Sequence, residues 1–350
     1  MRRRLVSLVD GERRLGTVSG GRRRDGRRRF AAILGAMFAA ASLASLPAAT
    51  GQTPARTSEL RVPVGDASLF VRDIGRGRPF IVLHGGPDFD QGYLRPELDE
   101  LAETYRLIYY DQRGRGESAE NVRPEDVTLA SDLDDLDKVR RYFRLDAAVL
   151  LGHSWGTVLA LEFALRHPTL VSHLVLMNPA PVSQAQVATL RQSYLAELGS
   201  DMDRQRAIQA GAAYQGGDPD AVAARYRIHF KHALQRPADY EKLMARMSAG
   251  FRRQGKDGIL KAWAVEERLY RDTWSLPGYD LLPKLGSLRI PTLVIVGEQD
   301  FIPPAIAREI AQALPEATLV AIPHCGHFAY LECGSAARSA LNSFFARRRQ

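Results

Sequence analysis

The sequence predicts an α/β fold, a mostly parallel, doubly wound sheet with a helical cap inserted between two of its strands. Three observations predict it. Short runs that are apolar along their whole length, such as FIVLH at residues 80–84 and TLVIV at 292–296, recur down the chain. Strands buried on both faces read this way, as a parallel sheet covered by helices requires. These runs alternate with segments of helical periodicity, the order of βα units. Between residues 182 and 288 the alternation stops, and polar-apolar helical periodicity rich in Arg, Ala and Gln takes over.

Taken in order, residues 59–64 and 68–73 read as a short antiparallel opening pair. The parallel strands follow at residues 80–84, 107–110 (LIYY), 147–151 (AAVLL), 174–177 (LVLM), 292–296 and 318–322 (TLVAI). Helices are expected over residues 96–105, 129–143, 156–166, 305–314 and 335–347. Residues 52–181 and 289–350 therefore form the core. Residues 182–288 form a cap over the carboxyl end of the sheet, where open α/β folds keep their ligands.

A chain of 350 residues with 45% hydrophobic content can bury one large core. Its formal net charge of +8 invites a nucleic-acid reading, but eleven arginines against three acids in residues 1–29 account for all of it. The remainder is neutral, so no steering field for phosphates is expected. Residues 30–49 then run uncharged and Ala-rich, with Ala49-Thr50-Gly51 as a small-residue cleavage site. A cationic segment before such a run reads as an export signal, and Arg27-Arg28-Arg29 resembles a twin-arginine motif. The same run is about long enough for an uncleaved membrane anchor. The expectation for residues 1–51 is thus export to the periplasm or beyond, or anchoring, the only membrane association foreseen. Cys325 and Cys333 could form a bridge or remain two thiols.

The chemistry lies in Gly152-His153-Ser154-Trp155-Gly156, a G-x-S-x-G directly after the strand AAVLL and directly before a helix. A sharp strand-to-helix turn lifts a serine hydroxyl above the sheet, and the flanking glycines avoid a clash. A serine needs a base, and the base needs an orienting carboxylate. His327, in the loop after the last strand, is the expected base, with His324 its competitor. Asp300, at the end of GEQD after TLVIV, is the expected orienter, with Glu298 its competitor. The order Ser154, Asp300, His327 is that of the α/β-hydrolase fold. An acid after LVLM is excluded, since Asn178-Pro179-Ala180-Pro181 follows. The amides of Gly86 and Trp155 are the expected oxyanion donors. His84 and His153 read as packing residues, and His229 and His232 as lying on the solvated face of a cap helix. No residue cluster has metal-ligand spacing and no Gly-rich phosphate loop occurs, so neither metal nor cofactor is expected.

With these residues in place, the chain resembles the prolyl aminopeptidase (proline iminopeptidase) family. The resemblance spans roughly residues 57–345 and rests on HGGP at 84–87, DQRGRGES at 111–118, GHSWG at 152–156, GEQD at 297–300 and GHFAYLE at 326–332. It implies a metal-free peptidase or amidase that removes an N-terminal residue, often proline, from small peptides through an acyl-enzyme. It also implies an acid in the cap that holds the substrate's α-amino group. The family's A-W-x-x-W-E stretch matches residues 262–267, with Glu266 in place of the second tryptophan, which makes Glu267 the carried-over acid. Both glutamates could equally lie on a solvated helix face. Asp88 stands where the family has glycine after HGGP. The alternative reading of the triad is an esterase or lactonase acting on small acyl substrates.

Overall fold

Runs of Val, Ile and Leu with no polar face can be satisfied only in the middle of a layered fold, and that is where they lie. The computed structural model describes residues 57–347. Strands β1 (Thr57–Pro63) and β2 (Ser68–Gly75) pair antiparallel, as expected, and β2 pairs antiparallel with β4 (Tyr105–Tyr110). All further neighbours are parallel: β3 (Arg78–Leu83), β5 (Ala148–His153), β6 (Val171–Met177), β7 (Thr292–Gly297) and β8 (Ala317–Ile322). The eight-stranded order is β1-β2-β4-β3-β5-β6-β7-β8. Every residue of β5 and β7 is buried, whereas edge strand β1 exposes alternate residues. The six apolar runs thus became parallel-sheet strands, the inner ones buried on both faces and the edge strand β8 half-buried.

Helices α1 (Leu129–Tyr142) and α2 (Trp155–Arg166) follow β4 and β5. Thr128 caps α1 through Ser131 N–H while Ser131 answers the Thr128 amide, a reciprocal capping box that defines the start. Between β6 and β7 come α3 (Gln184–Leu198), α4 (Asp201–Ala210), the single turn α5 (Ala212–Gln215), α6 (Pro219–His229), α7 (Pro237–Asp272) and the single turn α8 (Leu282–Leu285). Among the described residues of this interval, the one β bridge joins Ser183, just before α3, to Asp280, just before α8. Asp218 caps α6, with Pro219 in its first turn. Helix α7 is broken at Gly255, whose φ of 64° no helix accommodates. Helices α9 (Pro304–Ala313), α10 (Ala329–Glu332) and α11 (Gly334–Ala346) complete the chain.

One predicted helix differs. Residues 96–105 form a 3-10 stretch over Glu97–Glu103 instead of an α-helix. Leu98 and Leu101 point to the core three residues apart, a spacing the tighter turn satisfies, and no side chain caps the start. Among the described residues, no helix is long and apolar enough to cross a membrane. The export signal or anchor expected over residues 1–51 lies outside them.

Candidate active site

The turn after β5 carries the strain that a serine elbow demands. Ser154 has φ 53° and ψ −122°, a region L residues rarely occupy, and its N–H is held by the Met177 carbonyl at 3.1 Å. Gly156 packs so closely under β3 that a Cβ there would enter the Leu83 carbonyl. Glycine is required at that approach, which explains why the helix can start one residue after the serine.

Ser154 and His327 line one cavity of about 190 Å³, together with Gly86. Behind His327, Asp300 accepts from its Nδ1 through Oδ1 at 2.8 Å and Oδ2 at 3.0 Å. Asp300 is itself held by the Ile302 amide at 2.8 Å and by Asn178 Nδ2 at 2.9 Å. An acceptor-only carboxylate places the ring hydrogen on Nδ1 and leaves Nε2 as the lone-pair nitrogen. Both competitors point away: His324 and Glu298 are exposed. The loop bearing His327 is pinned on three sides. Its amide donates to Ala233 O at 2.7 Å, Glu332 accepts the Gly326 amide at 2.7 Å, and Cys325 is bridged to Cys333.

The proposed oxyanion donors sit at two chain turns. Gly86 has φ 120° in the loop after β3, and Trp155 opens α2, where an N–H has no intrahelical acceptor. The Trp155 ring is buried and meets Trp274 edge-on at 5.2 Å. A chain of hydrogen bonds ties the Gly86 loop to the His327 loop. His153 Nε2 donates to the His327 carbonyl at 3.0 Å, which leaves Nδ1 to accept from Tyr93 OH at 2.8 Å, and Tyr93 in turn accepts the Gly85 amide at 2.8 Å. Burial holds the His153 ring neutral, well below the usual histidine range. His84 likewise braces the loop: it accepts from the Gln112 amide at 3.0 Å, and burial with nearby Arg115 lowers it to about 3. The rest of the DQRGRGES segment is structural too. Asp111 accepts the Gln91 and Glu117 amides, and Arg115 is buried against Asp132 at 2.6 Å.

Cap helices α6 and α7 close the cavity with an ionisable group that the sequence reading misplaced. Glu267, the expected substrate-holding acid, lies on the outer face of α7, paired with Arg271 and with 69% of its side chain exposed. One residue earlier the helix has turned inward, and Glu266 lines the cavity, accepting from Tyr270 OH at 2.7 Å. Asp88 lines it from the opposite loop, buried and accepting from Tyr226 OH at 2.5 Å. Burial raises the Asp88 carboxyl above its usual range, and burial with Asp88 facing it pushes Glu266 up to about 8. Arg225, from α6, shares the cavity. His229 is also a correction. It lines the cavity rather than the solvated face, with Nδ1 on Tyr194 OH at 2.8 Å, while His232 is exposed but lies in the turn after α6 and not on a helix. Asn178, Tyr93, Arg225, Tyr226 and Tyr270 escaped sequence reasoning. Only Asn178, at the end of a strand, left a signal there.

The chain matches the alpha/beta hydrolase fold family over residues 78–332. It is 31% identical to a proline iminopeptidase of Levilactobacillus brevis over 271 residues, 77% of this chain and 88% of that protein. Among solved structures, the proline iminopeptidase-related protein of Thermus thermophilus is similar at TM-score 0.64 and 27% identity, covering 83% of this chain and 98% of that one. A proline iminopeptidase of Mycobacterium smegmatis is similar at TM-score 0.60 and 25% identity, covering 83% and 98% respectively.

Proposed function

We propose that this chain, which belongs to the proline iminopeptidase-like family of α/β-hydrolase fold proteins, is a serine hydrolase releasing the N-terminal residue of small peptides or amides. The observation that carries the reading is the pair of carboxylates, Asp88 and Glu266, facing the cavity that Ser154 and His327 line. Two buried acids near one another resist full ionisation. A substrate ammonium between them removes that penalty, whereas an uncharged acyl chain does not.

In the proposed mechanism Ser154 Oγ attacks the scissile carbonyl and His327 Nε2 takes its proton. Asp300 stabilises the imidazolium across the Nδ1 hydrogen bond. The amides of Gly86 and Trp155 receive the developing oxyanion. Collapse of the tetrahedral intermediate breaks the C–N bond, and the leaving amine carries off the proton held by His327. Water, deprotonated by the same ring, then hydrolyses the ester on Ser154. No metal enters any step.

The test is a pair of substrates that differ only in the ammonium group. An aminoacyl naphthylamide should be cleaved and its N-acetyl derivative should not. Equal turnover of the two, with faster cleavage of short p-nitrophenyl esters, would replace the aminopeptidase reading by the esterase or lactonase one. Export remains part of the proposal through residues 1–51, and cell fractionation of the full chain checks it.

A further inference from the structure

The acids account for one sign of charge in the cavity; Arg225 supplies the other. Two arginines packed beneath the cavity loop are each paired with a carboxylate. Arg115 meets Asp132 at 2.6 Å, and Arg113 meets Asp135 at 2.7 Å with two hydrogen bonds. Arg225 is different. It lies in the cavity wall with its guanidinium 4.5 Å from the Tyr226 ring centroid. Among the described residues no carboxylate forms an ion pair with it, and its Nε, like that of Arg115, is buried without a hydrogen-bond partner.

The nearby acids feel it only through space, as a charge that partly offsets the upward push of burial on both carboxyls. Asp88 takes its hydrogen bond from Tyr226 and Glu266 from Tyr270. The cation is therefore not spent on neutralising either one by direct contact. A guanidinium stacked on a tyrosine keeps its planar edge free, the edge that matches a carboxylate in a two-point hydrogen bond. Its stem is held by α6, and the flanking aromatic ring limits its rotamers, so little entropy is lost when an anion docks.

We propose that Arg225 is a specificity-determining residue that binds a carboxylate carried by the acyl half of the substrate, so that the cavity prefers N-terminal residues with an acidic side chain. The inference rests on the aminopeptidase reading above, because it is the amine held by Asp88 and Glu266 that places the N-terminal residue beside Arg225. The bound residue then carries one positive and one negative group, and each meets its opposite. Its entry leaves the net charge of the cavity unchanged, which a simple amine does not.

The experiment compares glutamyl- with glutaminyl-β-naphthylamide, an isosteric pair differing in one carboxylate, on the full chain. A charge-assisted pair contributes about 10- to 100-fold here. The wild-type ratio of kcat/KM for glutamyl over glutaminyl substrate is expected to exceed 10. It should fall to about 1 in Arg225→Met, which keeps the stem on Tyr226, and be partly retained in Arg225→Lys. A wild-type ratio of 1 or less, or a ratio untouched by Arg225→Met, overturns the proposal. Thermal shift with glutamate against glutamine reads binding without turnover. Greater stabilisation by glutamate, lost in Arg225→Met, supports the assignment, and equal shifts in the wild type refute it. Failure of the aminopeptidase reading shows separately, as equal cleavage of N-acetylated and free substrates.

Discussion

Replacing Glu266 by glutamine should make the protein more stable and a poorer enzyme at the same time. Burial, with Asp88 opposite, raises the Glu266 carboxyl from the ordinary 4.5 to about 8 in the folded chain. Above pH 4.5 the unfolded chain ionises this group, while the folded chain keeps it protonated until about pH 8. The unfolded state therefore gains stability over that window at about 1.4 kcal/mol per pH unit, on the order of 3 kcal/mol by pH 7. Glutamine keeps an acceptor for Tyr270 OH and removes the titration. Thermal melts of Glu266→Gln against wild type should show a gain of about 6 °C at pH 7, shrinking to nothing near pH 4. Over the same range kcat/KM for a free-amine substrate should fall about 10- to 100-fold, the worth of one charge-assisted hydrogen bond. A variant no more stable than wild type at pH 7, or a gain independent of pH, would refute the placement of this carboxyl.

Ser154→Gly should exceed Ser154→Ala in stability by about 1 kcal/mol in urea melts, because only glycine relieves a φ of 53°; equal midpoints would remove the strain. Asp300→Asn should lower kcat by about 10⁴-fold with KM little changed, since the ring loses its orienting acceptor; a variant retaining a tenth of the activity would take Asp300 out of the mechanism. Tyr93→Phe leaves the Gly85 amide and His153 Nδ1 buried without partners, and should cost about 2 kcal/mol by denaturant unfolding. A neutral effect would mean the chain of hydrogen bonds between the two loops contributes nothing.

How much of this was legible in the sequence depended on period. The strands announced themselves because FIVLH, AAVLL and TLVIV have no polar face, and a residue missing from either end does not alter that. The serine turn was legible because glycines at both flanks follow a buried strand. Glu266 and Glu267 were not separable: adjacent helical residues differ by about 100° in direction, so one lines the cavity while the other meets Arg271 in solvent. His229 misled for the same reason, since a cap helix has one face toward the cavity that composition does not mark. Tyr93 and His153 are sixty positions apart, and Asn178 meets Asp300 across 122. Such contacts depend on the strand order of the folded sheet, which no local pattern encodes. Asn178 is instructive: its identity correctly excluded an acid there, yet its amide turned out to orient the acid supplied by the next strand.

The central claim is that Ser154 is a nucleophile made reactive by its fold. Incubation with a fluorophosphonate and intact-mass analysis tests it most directly. A single adduct on the wild-type chain, mapped to the peptide containing Ser154 and missing from Ser154→Ala, is the predicted result. An unmodified wild-type protein, or equal labelling of the variant, would contradict the account.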